Sequence, residues 1–261
     1  MQLAYIGSQT SVNVNSGKAV WGPSSVADLA YKNTPKEMTR EEIVFVQKSF
    51  ADAAYRAKEA GFDGIQIHAA HGYLLSKFLT PYYNRRTDQY AGNRENRFRM
   101  VLETFQAIRD RVGSSYPVFI KINSEDFMKQ GMTFSDCKYV CRKLEEMGIN
   151  AIEISGGSLS SRPNEGFARK IPPEKKSYYE KYAAEIAQKI KTPIILVGGN
   201  RDVGDMTKIL NNTAVEYISL SRPLICESDL INRWKKDTAP AKCISCNKCF
   251  GGTGTVCIFN R

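Results

Sequence analysis

The stretch DGIQIHAAHGYL, residues 63–74, decides the fold. Its first half is short and apolar, which predicts a buried β-strand at Asp63–His68. Its second half is a loop that carries His71 and Tyr73. An amphipathic helix precedes the strand and ends at Gly61, so a helix leads into a strand whose end bears reactive side chains.

The alternation of strand and helix repeats along the chain. Apolar runs predict strands near residues 3, 65, 119, 153, 195 and 217, the first of them at Gln2–Ile6. Amphipathic stretches between and after them predict helices at Asn93–Val112, Thr133–Met147, Glu174–Ile190, Asp202–Leu210 and Ser228–Lys236. Repeated βα units with nearly all-apolar strands indicate a parallel sheet that is covered on both faces.

Two architectures fit such a repeat, an open doubly wound sheet and a closed TIM barrel. The G-x-G-x-x-G motif of the dinucleotide-binding open sheet is absent. Polar or glycine-rich residues instead follow several strands, as they do at the carboxyl ends of barrel strands. These residues are His68, Asn123, Ser155-Gly156-Gly157, Gly198-Gly199-Asn200 and Ser221-Arg222. We therefore predict an α/β fold of the TIM (β/α)8 class, incomplete here because about six βα units are found where a closed barrel needs eight.

The composition is that of a globular protein of 261 residues, with 37 Lys and Arg against 27 Asp and Glu and a formal net charge of +10. The basic residues are dispersed, which argues against nucleic acid as a partner and suits an anionic small molecule. No apolar run approaches the roughly 18 residues of a membrane span, and the first residues do not form a secretory signal. Seven cysteines without a secretory signal predict a reducing, cytoplasmic setting. The sequence leaves open whether the protein forms a homo-oligomer.

The chain contains two histidines, His68 and His71, three residues apart where the predicted strand becomes a loop. Such a pair fits zinc ligation, a buried structural pair or donors to a bound substrate. A zinc site wants a third ligand and commonly a nearby glutamate, and the HEXXH motif is absent. The residues alone leave the structural and the substrate-binding interpretations open.

Residues 68–97 read HAAHGYLLSKFLTPYYNRRTDQYAGNRENR. This run resembles the pattern H-x-x-H-G-Y-L, F-L-S-P, N-x-R-x-D-x-Y-G-G and E-N-R of the Old Yellow Enzyme family of FMN-dependent oxidoreductases, in its NADH:flavin oxidoreductase and 2,4-dienoyl-CoA reductase-like branch. Thr80 stands where the family has Ser, and Ala91 where it has Gly. The resemblance extends from Gln2 to about Trp234. It implies a TIM barrel that passes hydride from NAD(P)H through flavin N5 to a small-molecule substrate, an α,β-unsaturated carbonyl.

The resemblance also implies roles for the loop after the second predicted strand. His68 and His71 donate hydrogen bonds to the carbonyl or phenolate oxygen of a ligand stacked on the flavin, and Tyr73 is the proton donor. Two donors at an enone oxygen help most when enolate charge develops there. A phenol with a pKa of about 10 is protonated at neutral pH and can deliver a proton to the α-carbon.

For FMN, the resemblance implies that Gln2 contacts the pyrimidine ring and that Lys121, where the family usually has Arg, lies beside N1 and O2. A fixed cation there stabilises the anionic reduced flavin. The resemblance assigns the phosphate to residues that follow the last two strands. They are Gly198, Gly199, Asn200, Ser221 and Arg222.

Several features depart from the family. Tyr5 and Ser8 stand where it has His and Arg, and Ser221 stands where it has Gly. The resemblance implies that the strands of this chain correspond to strands 3–8 of the family's barrel, and we therefore expect it to be truncated at its amino terminus. The alternative function is therefore a truncated barrel fragment without independent FMN binding or activity, because unpaired edge strands favour aggregation.

The last residues contain KCISCNKCFGGTGTVC, in which Cys243, Cys246, Cys249 and Cys257 have a C-x2-C-x2-C-x7-C spacing. Four close thiols fit a 4Fe–4S cluster first, a four-cysteine zinc site second and a loop of reduced thiols third. The resembling branch carries such a cluster on a slightly wider spacing. We expect two parts, a barrel at residues 1–237 and a cysteine-rich tail at residues 238–261, with Cys226 in the core or on a helix face. A nucleic-acid-binding domain with a zinc ribbon ranks last.

Overall fold

The computed structural model of the protein describes residues 1–10, 20–170, 172, 176–250 and 254–260. Its strands are β1 (Gln2–Leu3), β2 (Trp21–Gly22), β3 (Lys36–Glu37), β4 (Ile65–Ala69), β5 (Val118–Asn123), β6 (Ala151–Ser155), β7 (Ile194–Leu196) and β8 (Tyr217–Ile218). Its α-helices are α1 (Arg40–Glu59), α2 (Leu74–Leu79), α3 (Arg94–Val112), α4 (Phe134–Glu146), α5 (Glu180–Ala187), α6 (Val203–Asn212), α7 (Arg222–Cys226) and α8 (Leu230–Trp234). No helix in these ranges combines the length and apolar character needed to cross a membrane.

The main sheet has the strand order β1-β4-β5-β6-β7-β8, and every neighbouring pair is parallel. Each strand therefore lies beside the preceding strand of the sheet, as in a barrel, and helices connect them. The prediction of repeated βα units is confirmed. Because six strands join this sheet within the described ranges and a closed barrel has eight, the fold is an incomplete TIM barrel.

The two faces of the sheet differ in chemistry. On β4, β5 and β6, alternate residues such as Ile67, Ile120 and Ile152 are fully buried in the apolar core. The residues between them are largely polar, since side chains alternate across a strand. Register places Lys121 beside His68 on one side and Glu153 on the other. The strand residues on this face thus supply a row of polar groups to the barrel interior.

Helix α1 shows how local sequence sets the element boundaries. The Thr39 side chain accepts a hydrogen bond from the Glu42 amide, and the Glu42 carboxylate accepts one from the Thr39 amide, which together form a capping box. At the other end Gly61 has a φ of 81°, a left-handed conformation that favours glycine. Helix α1 packs along α3 and against β1, and its residues Phe50 and Ala54 are buried in the apolar core.

Some predicted boundaries are wrong. The first strand was expected over Gln2–Ile6, but β1 ends at Leu3 because the Tyr5 carbonyl accepts the amide of Leu74 at the start of α2. The helix expected over Glu174–Ile190 is reduced to α5, since the Tyr178 amide donates to the Gly198 carbonyl instead of joining a helix. Residues 174 and 175 of that prediction lie outside the described residues.

Candidate active site

A cavity of about 400 Å³ opens among the residues at the carboxyl ends of the sheet strands. All the residues that the sequence singled out for catalysis and for the cofactor line it. They are Gln2, His68, His71, Tyr73, Lys121, Gly198, Gly199, Asn200, Ser221 and Arg222. Residues separated by more than 200 positions in the chain thus meet at one place because the parallel strands end at one edge of the sheet.

His68 is a neutral hydrogen-bond donor. Its Nδ1 accepts the amide of Ala70 at 3.3 Å, so the proton of the neutral ring lies on Nε2. Burial, together with a smaller effect of the Lys121 charge, lowers the pKa of His68 to about 4. The ring stacks on Tyr73 with centroids 4.6 Å apart, which fixes its orientation.

His71 has a left-handed backbone, with a φ of 63°. Its amide donates to Asn123 Oδ1 at 3.1 Å, and its Nε2 lies 2.7 Å from the Ser155 hydroxyl. Burial holds the pKa of His71 well below its usual value, with a smaller contribution from His68. Its ring also stacks on Phe167, with centroids 4.6 Å apart. His71 is therefore a neutral ring clamped between strand-end polar groups and the loop that follows β6.

Tyr73 occupies the position immediately before α2, with an extended backbone. Its side chain is half-buried, and burial raises the pKa of the phenol above 10. The hydroxyl therefore stays protonated at neutral pH. Because Leu74 is anchored to Tyr5 and His68 stacks on the ring, both the backbone and the side chain of this residue are positioned.

A chain of polar side chains crosses the barrel interior beneath the cavity. Gln2 Nε2 donates to Gln66 Oε1 at 2.6 Å, and Gln66 Nε2 donates to Glu153 Oε2 at 2.7 Å. Glu153 Oε1 pairs with Lys121 Nζ at 2.9 Å. Gln2 and Lys121 were both predicted at the flavin pyrimidine, and this chain connects them.

The loop after β7 turns sharply at two glycines. Gly198 has a φ of 111°, and a Cβ on it would lie 2.7 Å from the rings of both Tyr178 and Tyr179. The buried Asn200 amide donates to the carbonyls of Leu196 and Ser219 at 3.0 and 3.1 Å. Asn200 lines the cavity, but its amide group holds the β7 and β8 loops together.

Arg222 is buried where the cavity meets the tail. It donates to the carbonyl of Arg169 at 2.9 Å, to that of Ser245 at 3.4 Å and to Asn247 Oδ1 at 2.5 Å. The acceptors described for this guanidinium are all neutral oxygens, so its charge is available to an anion. Ser221, beside it, is exposed.

The four tail cysteines predicted as metal ligands line a second, small cavity of about 20 Å³, together with Arg222. Cys226, expected in the core or on a helix face, is a buried free thiol at the end of α7 that is hydrogen-bonded to the thiol of Cys257. Within the described ranges, however, no three His, Cys, Asp or Glu side chains lie close enough to one another to hold a metal ion. The cysteines therefore share a site but are not arranged as a metal centre here.

Comparison with known proteins identifies the architecture. The sequence model of the NADH:flavin oxidoreductase / NADH oxidase family matches residues 1–240. The chain belongs to this family. The NADH oxidase of Thermoanaerobacter brockii is 34% identical over 255 residues, which are 97% of this chain and 39% of that protein. The NADPH dehydrogenase of Geobacillus sp. (strain WCH70) is 33% identical over 231 residues, 86% of this chain and 62% of that protein.

The family's fold is also found in a solved structure of an old yellow enzyme homologue from Zymomonas mobilis. That structure matches with a TM-score of 0.74 and 23% identity, over 92% of this chain and 67% of that one. That structure shows the shared fold, and the family match over residues 1–240, with the two sequence relatives, confirms the predicted resemblance. The chain spans 39% and 62% of the two sequence relatives, so it corresponds to part of each of them.

Sequence reasoning missed three residues at this site: Arg201 and Phe167, which line the cavity, and Glu153, which lies behind its wall. Glu153 had a signal, because it is the one charged residue in the apolar strand AIEIS. Arg201 follows the glycine loop, is 3% exposed and donates to the Cys243 carbonyl at 3.1 Å. Phe167 lies in a loop without the periodicity of a helix or strand, so no sequence pattern indicates that it stacks on His71.

Proposed function

We propose that this chain binds FMN and transfers hydride from NAD(P)H, through flavin N5, to an α,β-unsaturated carbonyl. The observation that carries the proposal is the shared cavity, in which two neutral histidines, a protonated tyrosine and a lysine meet. Its volume falls in the range of small-molecule and cofactor sites. FMN, when bound, supplies a ring that accepts and donates hydride.

Gln2 and Lys121 fit the pyrimidine end of the flavin. Gln2 offers amide groups, and Lys121 offers a cation within a wall of buried strands. At the phosphate end, Gly198 and Gly199 expose backbone near the cavity and Arg222 supplies positive charge. The donor set therefore matches a ligand that is amide-like at one end and anionic at the other.

His68 fits the electrophile-activating role. Its Nε2–H can donate to a carbonyl oxygen, where negative charge develops as hydride reaches the β-carbon. Because the ring is neutral, it stabilises this oxygen without surrendering its proton. His71 is adjacent, with ring centroids 5.1 Å apart, and its hydrogen bond to Ser155 fixes it in place. Tyr73 then delivers the proton to the α-carbon.

The test is reconstitution of the purified chain with FMN. We expect a yellow protein whose flavin absorbance bleaches with NADH or NADPH in the absence of oxygen and returns when an enone is added. A folded chain that takes up no FMN contradicts the proposal. Circular dichroism and size-exclusion chromatography on the same sample test the alternative. A barrel fragment without independent FMN binding is expected to be unfolded or aggregated.

For the tail, we propose that Cys243, Cys246, Cys249 and Cys257 bind a 4Fe–4S cluster, with zinc as the second candidate. The proposal is supported by the small cavity that the four cysteines share. Because no three of the described thiols are close enough to ligate one metal, the tail has to close further when it binds the cluster or the zinc ion. Iron, acid-labile sulfide and zinc analysis decides between the two. The described cysteines are all free thiols, which fits the proposed cytoplasmic setting.

A further inference from the structure

The polar chain Gln2–Gln66–Glu153–Lys121 joins four strands of the sheet, β1, β4, β6 and β5. Glu153 is 4% exposed, and it reaches two partners with one carboxylate: Lys121 on the neighbouring strand and Gln66 two strands away. A buried carboxylate is costly unless it is paired and hydrogen-bonded. Its Oε2 accepts the hydrogen bond from Gln66, and its Oε1 is ion-paired with Lys121 but accepts no hydrogen bond, so the charge of this carboxylate is balanced mainly by the Lys121 ammonium.

The two end residues of this polar chain, Gln2 and Lys121, differ in position from its two middle residues. Gln2 and Lys121 line the cavity, whereas Gln66 and Glu153 lie behind them and are not part of its wall. A negative charge 2.9 Å from the Lys121 ammonium offsets part of the field that this cation projects into the cavity. The same carboxylate holds Gln66, and through it Gln2, in a fixed orientation.

We propose that Glu153 is a positioning residue that sets the reduction potential of the bound flavin by compensating the charge of Lys121. The inference rests on the proposed FMN binding. The reduced flavin is anionic near N1, so a cation there favours reduction, and a carboxylate behind that cation moderates the effect. Gln66 has a different task, since it carries no charge and links Glu153 to Gln2.

The experiment compares Glu153→Gln with the unaltered chain, both loaded with FMN. The flavin potential is measured by equilibration with a reference dye at pH 7, and FMN affinity by fluorescence quenching. We expect the variant to shift the two-electron reduction equilibrium toward reduced flavin by about tenfold, which corresponds to about 30 mV. Glu185→Gln is the matched control, because Glu185 pairs with Lys138 and Lys189 on the surface.

A second variant separates charge from structure. Gln66→Leu keeps the ion pair between Glu153 and Lys121 but removes the link to Gln2. We expect weaker FMN binding, by several-fold, and a potential equal to that of the unaltered chain. If Glu153→Gln does not fold, Glu153→Asp withdraws the carboxylate by one methylene and is expected to raise the potential by a smaller amount.

The outcomes are distinct. A potential that is unchanged or lower in Glu153→Gln, in a protein that binds FMN, overturns the role of Glu153 and leaves the proposed function intact. An equal rise in Gln66→Leu also overturns it, because the effect would then come from loosened packing rather than charge. An unaltered chain that takes up no FMN refutes the proposed function, and this inference with it.

Discussion

Arg222 donates a hydrogen bond of 2.5 Å to the side-chain oxygen of Asn247, and this bond joins the candidate flavin cavity to the cysteine tail. Asn247 in turn donates to the Ala168 carbonyl at 2.6 Å, so the loop after β6 is included in the same contact. The tail is therefore part of the wall that orients Arg222, the cation assigned to the FMN phosphate.

Replacement of Asn247 by alanine is expected to weaken FMN binding by about tenfold or more, because a hydrogen bond to a charged donor contributes roughly 1.5–3 kcal/mol. Arg222 then loses the acceptor that holds its guanidinium toward the cavity. Fluorescence quenching of FMN measures the change. Asn211→Ala on the exposed surface of α6 serves as the control. Equal FMN affinities for the two variants would show that the tail does not orient Arg222.

Tyr73→Phe is expected to slow enone reduction by about a hundredfold or more, the usual contribution of a positioned general acid. The ring and its stacking on His68 are retained, so FMN binding and flavin reduction by NADH should change little. Stopped-flow measurement of the two half-reactions separates these effects, with Tyr55→Phe on the outer helix α1 as control. If both half-reactions slow to the same extent, Tyr73 is not the proton donor.

The residues that the sequence singled out for catalysis and for the cofactor line one cavity, and they could be found because most of their determinants are local. His68, His71 and Tyr73 fall within six residues at the end of one strand, and the βα repeat brings the glycine loop and Arg222 to the same edge. What it missed depends on pairing between distant strands. Glu153 is hydrogen-bonded to Gln66, 87 residues away, and ion-paired with Lys121, and neither partner can be read from the sequence around Glu153. Helices α2 and α7, six and five residues long, are too short to show a helical period.

The low pKa of His68 predicts a dependence of stability on pH. The unfolded chain binds a proton at His68 near pH 6.5, whereas the folded chain binds it only near pH 4. Stability from this group is therefore fully present above about pH 6.5 and is lost as the pH falls toward 4. The loss amounts to roughly 3 kcal/mol, and His71 adds to it in the same direction.

Urea unfolding of the unaltered chain and of His68→Asn between pH 7 and 4 isolates this contribution, since carboxylates affect both proteins alike. We expect the free energy of unfolding to fall less steeply in the variant. Parallel pH profiles would mean that His68 is not held neutral by burial.

Gly198→Ala tests the turn that presents backbone to the proposed phosphate site. The φ of 111° is strained for any residue with a Cβ, and that Cβ would lie 2.7 Å from the rings of Tyr178 and Tyr179. Gly61→Ala is the matched control, because it has a φ of 81° but no atom within 4 Å of its Cβ. Both variants lose roughly 1–3 kcal/mol of stability from backbone strain. Only Gly198→Ala must also move the two rings, so it alone is expected to weaken FMN binding, by tenfold or more. If the two variants fold and bind FMN with equal affinity, the glycine loop is not part of the cofactor site.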